Sequence, residues 1–167
     1  MTKTERQKLK ALPVRENNNC FACGPQNSNG LQMKFYTDES SLFSFISIPK
    51  HMCGWNNVVH GGIISTMLDE IMSWSALYLL KKIILTKSIT VDFIKPIIVE
   101  QPLTVIGQLN EHVHERKAVM SGKIYDNKDE ICSKSVGTFS LFTPERIKEH
   151  KIMDEDAMSS LLEFMTL

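Results

Sequence analysis

The centre of this sequence is a long apolar segment that begins with a histidine and two glycines: His60-Gly61-Gly62-Ile-Ile-Ser-Thr-Met-Leu-Asp69-Glu70-Ile-Met-Ser-Trp-Ser-Ala-Leu-Tyr-Leu-Leu80. The segment lacks proline and is rich in Met, Leu and Ala, which favours a helix over a strand. Its apolar side chains fall on nearly every face of that helix, so we expect other structure to wrap around it. Asp69 is then a carboxylate inside a buried helix, which is costly unless the group is paired or used.

Composition limits the class of protein. The chain has 167 residues, which suits one domain with a sizeable core. Its 19 basic and 19 acidic residues cancel, so charge gives no reason to expect nucleic acid or a membrane surface as a partner. The acidic pair at residues 69 and 70 argues against a membrane-spanning helix. Since the first ten residues lack an apolar signal region, we expect a cytoplasmic protein.

The segments on either side of the central helix alternate between apolar and polar residues, which is typical of half-buried strands. They cover residues 31–36, 42–48, 86–95, 103–110, 117–125 and 131–142. Short turns join the later ones, as in an antiparallel sheet. We therefore predict an α+β fold, a single domain over residues 18–143 in which an antiparallel sheet of about six strands wraps a long central helix.

The two ends of the chain depart from this pattern. Residues 1–17 form an N-terminal extension, predicted to be a short charged helix that ends at Pro13 and a loop. Thr143 and Pro144 are typical of a helix start, so residues 144–167 are predicted to be a C-terminal helical extension. Met158 and Leu161 have the spacing of a helix that packs on the domain.

Four cysteines leave several interpretations open. Cys20-Phe-Ala-Cys23 has the spacing of a zinc knuckle, but a four-ligand site needs a second pair, and Cys53 and Cys132 are far apart in the sequence. A disulfide set is not favoured without a signal peptide. We expect buried thiols that pack the loop of residues 15–30 against the sheet, with no metal site.

The helix start and the mid-helix acid are the candidate chemical groups. Gly61 and Gly62 leave the first backbone N–H groups unobstructed, and with the helix dipole these groups can stabilise a developing negative charge such as a thioester or ester oxygen. Alternatively, the glycines only allow a close backbone approach. Asp69 could be a general base for water, a nucleophile or a buried structural acid.

His60 and Asp69 cannot meet within one chain. They are nine residues apart, about 13 Å along a helix and on opposite faces. In a two-fold dimer, however, the helix start of one subunit can face the mid-helix carboxylate of the other. A Gly-x-Ser-x-Gly elbow, a phosphate loop, a Rossmann fingerprint and a His-Glu-x-x-His motif are all missing from the sequence, which argues against those enzyme classes.

Three motifs together resemble the hotdog-fold acyl-CoA thioesterases, and within them the PaaI-like and THEM-type group. They are His60-Gly61-Gly62 followed by Asp69-Glu70, then Cys20-Phe21-Ala22-Cys23-Gly24-Pro25, and Asn29-Gly30-Leu31. The similarity covers residues 18–143. It implies a hotdog domain, hydrolysis of an acyl-CoA thioester without a metal or other cofactor, and a homodimer or a dimer of dimers (a homotetramer).

The resemblance also implies roles for single residues. Asp69 matches the catalytic carboxylate, which activates water or attacks the thioester carbonyl. The N–H of Gly62, with Gly61 adjacent, would polarise that carbonyl from the partner subunit, and His60 would shape the site or contact the acyl end. Thr86 lies where some members place a hydroxyl that holds the water. Asn57 lies near the place of a polar residue that orients the nucleophile.

Two other functions remain open at this point. The same fold serves non-catalytic proteins that bind acyl-CoA or regulate, although the presence of Asp69 argues against that function. Hydratases of this fold pair an aspartate and a histidine in one site, and the nine-residue separation of His60 and Asp69 disfavours them.

Overall fold

The computed structural model describes residues 6–149, 153 and 155–165. Its helices are α1 (Gly61–Leu80), α2 (Pro144–Glu149) and α3 (Glu155–Met165), and a 3-10 turn covers Lys50–Met52. Its strands are β1 (Lys10–Ala11), β2 (Tyr36–Thr37), β3 (Ser41–Ser47), β4 (Cys53–Trp55), β5 (Val58–Val59), β6 (Ile83–Phe93), β7 (Pro102–His114), β8 (Lys117–Tyr125) and β9 (Ile131–Phe142).

One antiparallel sheet covers the central helix. Among the described residues it has seven strands in the order β1-β2-β3-β7-β8-β9-β6, and β4 and β5 form a separate two-stranded ribbon. Leu68, Ile71 and Met72 of α1 are fully buried under this sheet. The predicted α+β hotdog architecture is confirmed, with seven strands in the sheet instead of about six.

Helix α1 approaches the sheet most closely at a glycine. A Cβ atom on Gly107 of β7 would lie 2.3 Å from Ser75 Oγ and 2.7 Å from the carbonyl oxygen of Ile71. Real Cβ atoms do not come this close, so a side chain here would push the helix away from the sheet. The contact explains why the helix can lie deep inside the curved sheet.

Helix α1 is long and apolar enough to cross a membrane by length and composition, but 56% of its apolar window is buried inside the domain. Such burial is what the core helix of a folded domain shows. The helix therefore forms the centre of the hydrophobic core here.

The N-terminal part differs from the prediction. Lys10 and Ala11 pair with Thr37 and Tyr36 as a short strand, where a helix was predicted. The Leu12 N–H donates to the Phe35 carbonyl at 2.9 Å, and Leu12 is buried, so this segment gains more from pairing and burial than from a local helix. Residues 1–5 of the predicted helix lie outside the described residues.

Residues 31–36 also differ from the predicted strand, since only the last of them enters the sheet. The N–H groups of Leu31 and Met33 donate at 2.9 Å to the carbonyls of Phe21 and Ala22. This segment therefore fastens the cysteine loop to the domain and takes no part in the main ladder.

The C-terminal helices confirm the prediction. Helix α2 begins at Pro144, and α3 buries Met158, Leu161 and Phe164. The Phe164 ring meets Trp74 of α1 edge-on, with 4.7 Å between ring centroids. The tail of the chain thus closes one end of the core.

Candidate active site

Asp69 and Thr86 form the first part of the candidate site. Thr86 Oγ1 donates a 2.8 Å hydrogen bond to Asp69 Oδ1. Asp69 lies midway along α1 and is half-buried, whereas Thr86 on β6 is exposed. Burial raises the pKa of the Asp69 carboxyl, and the hydrogen bond from Thr86 opposes that rise. The carboxylate thus lies between the core and the surface, with one oxygen bonded to Thr86.

Two local features bring Thr86 to Asp69. Lys81 ends α1 in the left-handed conformation, with φ 51° and ψ 43°, which turns the chain back along the helix. The β6–β9 ladder then shifts register between Thr86 and Ser88, which marks a β-bulge. Bulges re-aim side chains at the edges of sheets, and this one lies directly beside the hydroxyl that contacts Asp69.

The helix start forms the second part of the site. His60 is the N-cap of α1, and its Nδ1 accepts a 2.9 Å hydrogen bond from the Gly62 N–H. A neutral imidazole that accepts at Nδ1 carries its proton on Nε2. The Gly62 donor, which the resemblance assigns to the substrate carbonyl, is therefore bound to the His60 ring in this structure.

The two glycines of the helix start differ in how much space surrounds them. A Cβ on Gly62 would lie 3.0 Å from His60 Nδ1, which is tighter than ordinary contact. A Cβ on Gly61 would meet only the Phe93 ring at 3.6 Å. The close approach of the His60 ring therefore explains the need for glycine at position 62, whereas position 61 has room for a side chain.

Within one chain the two parts do not join. Among the described contacts, none links His60, Gly61 or Gly62 to Asp69 or Thr86. Asn57 is a further predicted site residue that stands apart.

Asn57 lies in the exposed turn between β4 and β5. Its carbonyl accepts a 2.9 Å hydrogen bond from the Val99 N–H. No described contact links the Asn57 side chain to Asp69 or Thr86, so a single chain leaves this residue outside the site.

Strand β6 connects the two parts along the sheet edge. Thr86 lies near its beginning, and Phe93, at its end, faces Gly61. Within the described part of the chain this strand is unpaired on its outer side. Leu85 and Phe93 are 41% and 58% exposed on this strand, and Val136 on β9 is 48% exposed. An unpaired edge strand of this length, with exposed apolar side chains near both ends, is a surface for pairing with another strand.

The second acid of the helix, Glu70, points away from Asp69. Trp74 Nε1 donates to Glu70 Oε1 at 2.9 Å, and Cys20 Sγ lies 3.9 Å from the same oxygen. Burial raises the pKa of Glu70 to about 7. A hydrogen bond between the two thiols lowers the pKa of Cys20 and raises that of Cys23. Sequence reasoning missed this cluster, because nothing along the chain relates Glu70 to a loop 50 residues earlier.

Comparison with known proteins supports the fold of this chain. Residues 56–133 match the model of the thioesterase superfamily. A thioesterase superfamily protein of known structure superposes with a TM-score of 0.67 at 23% identity, covering 73% of this chain and 60% of its own. This chain therefore spans less than two thirds of that relative. No curated protein sequence matches this chain.

Two further solved structures share the fold. The PaaI protein from the phenylacetic acid degradation operon of E. coli has a TM-score of 0.61 at 16% identity, covering 68% of this chain and 81% of its own. A hypothetical thioesterase from Streptococcus pneumoniae, solved with coenzyme A, has a TM-score of 0.58 at 17% identity. The match covers 62% of this chain and 80% of that protein. Residues 56–133 therefore match the thioesterase superfamily model, and the central helix wrapped by an antiparallel sheet is the hotdog fold.

Proposed function

We propose that this protein hydrolyses an acyl-CoA thioester to a carboxylic acid and CoA. The observation that carries the proposal is the 2.8 Å hydrogen bond from Thr86 to Asp69 at the open edge of a thioesterase-superfamily domain. The S. pneumoniae thioesterase solved with coenzyme A supports the ligand class. No metal or redox cofactor enters the proposed chemistry, and a cytoplasmic location stays a prediction.

Asp69 supplies the base or the nucleophile. Thr86 holds Oδ1, which leaves Oδ2 to face the reacting atoms. As a base, Oδ2 takes a proton from water while the water oxygen attacks the thioester carbon, and collapse of the tetrahedral intermediate breaks the C–S bond. As a nucleophile, Oδ2 forms an anhydride with the acyl group, and water hydrolyses it afterwards. In either case the CoA sulfur leaves and takes up a proton.

The complete site needs a second subunit. If β6 pairs antiparallel with β6 of a second copy, the Phe93 end of one strand lies beside the Thr86 end of the other. Phe93 faces Gly61, so the same pairing brings the helix start of one subunit toward Asp69 of the other. The unpaired edge strand, with its exposed Leu85 and Phe93 side chains, supports this assembly as a homodimer, or as a dimer of dimers.

The helix start then polarises the thioester carbonyl. The Gly62 N–H donates to His60 Nδ1 before substrate binds, so the carbonyl oxygen must share this donor or displace the imidazole. The Gly61 N–H is the adjacent donor at the same positive end of the helix. His60 acts here as a positioning residue that holds the Gly62 donor. Asn57 contacts substrate only in the assembled dimer.

The alternative function is a protein that binds acyl-CoA without hydrolysing it. The hydrogen bond between Gly62 and His60 favours this alternative, because it occupies a donor that the reaction needs. The two functions differ in turnover and not in binding.

A substrate panel tests the proposal. Acyl-CoA thioesters from acetyl to palmitoyl, together with phenylacetyl, are offered to the wild-type protein and to Asp69→Asn, and thiol release is recorded. We expect turnover of at least one thioester, reduced by about 10²- to 10⁴-fold in Asp69→Asn with the fold retained. Binding of acyl-CoA without turnover across the whole panel would establish the alternative instead.

A further inference from the structure

The N-terminal loop brings two thiols to a carboxylate of the central helix. Each of Cys20, Cys23 and Glu70 offers a ligand atom, and these atoms lie within 4.8 Å of one another. We propose that the three side chains bind a Zn²⁺ ion that fastens the loop to α1. Asp69 and Thr86 take no part in this site, so the proposal is independent of the proposed hydrolysis.

The loop is wound so that both sulfurs lie on the same side. Asn18 Oδ1 accepts from the Cys20 N–H at 3.0 Å, and the Gly24 N–H donates to the Cys20 carbonyl at 2.9 Å. A Cβ on Gly24 would lie only 2.4 Å from the Cys20 nitrogen, so the turn closes this tightly because residue 24 is glycine. The spacing and the turn are those expected of a metal-binding Cys-x-x-Cys loop.

Polar groups around the sulfurs support a metal-bound state. The Ala22 N–H donates to Cys20 Sγ at 3.4 Å, and Asn18 Nδ2 donates to Cys23 Sγ at 3.4 Å. On the helix side, Trp74 Nε1 holds Glu70 Oε1 at 2.9 Å. Groups that orient ligands in this way are a regular part of metal sites in proteins.

The distances suit zinc with little movement. Zn–S bonds of about 2.3 Å and Zn–O bonds of about 2.0 Å place tetrahedral ligand atoms about 3.5–3.8 Å apart. Cys20 Sγ and Glu70 Oε1 are already 3.9 Å apart. Two thiolates with one carboxylate form a borderline-soft donor set, which favours Zn²⁺ over Ca²⁺ or Mg²⁺.

The surroundings have space and charge for the ion. The three ligands line a cavity of about 160 Å³, together with Arg15 and Ser73. A cavity needs about 10–15 Å³ of such space to hold one water, so this one has room for a water as the fourth ligand. Two thiolates, one carboxylate and Zn²⁺ carry a net charge of about −1, which the nearby Arg15 guanidinium offsets.

A metal titration of the whole chain tests the proposal. The protein is reduced, stripped with a chelator and titrated with Co²⁺, which is then displaced by Zn²⁺. We expect one ion per chain, with the visible spectrum of tetrahedral, thiolate-bound cobalt, and the release of thiol protons on binding. Competition with a chromophoric chelator measures the zinc affinity.

Variants identify the ligands. We expect Cys20→Ser and Cys23→Ser to weaken zinc binding by at least about 100-fold, and Glu70→Gln by about 10- to 100-fold. Cys53→Ser is the matched control, because Cys53 is also a partly buried free cysteine but lies outside the cluster, and it should bind zinc like the wild type. Circular dichroism checks that each variant is folded.

Three results would overturn the site. The first is a reduced wild-type protein that gives no thiolate–cobalt spectrum. The second is a folded Glu70→Gln that binds zinc as tightly as the wild type, which would remove the carboxylate from the ligand set. The third is a Cys20–Cys23 disulfide, two hydrogens lighter by mass, in a protein that takes up no zinc after reduction.

Discussion

Thr86 on the edge strand donates a 2.8 Å hydrogen bond to Asp69 in the middle of the central helix. The bond joins the central helix to the edge strand of the sheet. It also gives the carboxylate a partner that favours the charged form, against the burial that disfavours it. In the proposed reaction, the balance of these two effects sets the pH range in which Asp69 is ionised.

Replacing Thr86 should therefore move the pH dependence of hydrolysis. Thr86→Val removes the hydrogen bond that lowers the pKa of Asp69, so that pKa, already raised by burial, should rise further. Since the reaction needs the carboxylate ionised, the acid limb of the kcat/KM profile should move to higher pH. At neutral pH we expect about a 10-fold loss of kcat/KM.

Thr86→Ser is the control for this measurement. It retains the hydroxyl, so its acid limb should stay close to that of the wild type. Superimposable profiles for the valine and serine variants would show that the hydrogen bond does not tune Asp69.

Removing the Gly62 N–H should slow hydrolysis more than adding a methyl group beside it. Gly62→Pro removes the donor in the first turn of the helix, where proline is tolerated. We expect kcat to fall by about 10²- to 10³-fold, as for the loss of an oxyanion donor. Gly62→Ala keeps the N–H and adds only a Cβ 3.0 Å from His60 Nδ1, so its loss should be smaller. Equal activities for the two variants would exclude this donor from the reaction.

Subunit exchange tests whether one site uses two chains. Asp69→Asn and Gly62→Pro are each expected to be nearly inactive, but a mixed dimer contains one site with both wild-type groups. Random exchange of equal amounts should restore about a quarter of the wild-type activity. The same mixture before exchange should show no recovery. A site built within one chain would show no recovery after exchange either.

The contact between α1 and β7 should be sensitive to a single methyl group. A Cβ on Gly107 would lie 2.7 Å from the Ile71 carbonyl, a backbone atom that cannot turn aside. We expect Gly107→Ala to lower the free energy of unfolding by about 1–3 kcal/mol, measured by urea denaturation.

Gly122→Ala is the matched control on the neighbouring strand. Its Cβ would meet the Leu68 and Ser135 side chains at 3.0 Å, and side chains can shift. Its loss of stability should therefore be smaller than that of Gly107→Ala. A Gly107→Ala protein as stable as the wild type would show that the helix has room to move away from the sheet.

Periodicity explains which elements were predictable. The strands at residues 117–125 and 131–142 match the predicted bounds because both pair on two sides and alternate between the core and the outer face, the second of them from Ser133 onward. Lys10–Ala11 and residues 31–35 were predicted wrongly. Their backbone bonds go to partners ten or more residues away, and local propensity carries no information about such partners.

The order of residue types along the chain was enough to identify the helix, its His60-Gly61-Gly62 start and an acid at residue 69 inside an apolar core. These features follow from the spacing of residues within one element. The partners of those groups could be identified only from the tertiary structure. Thr86 reaches Asp69 through a turn and a bulge, and Cys20 and Cys23 reach Glu70 across 50 residues. Which side chains meet at such distances depends on how whole elements pack, and packing is a property of the assembled core.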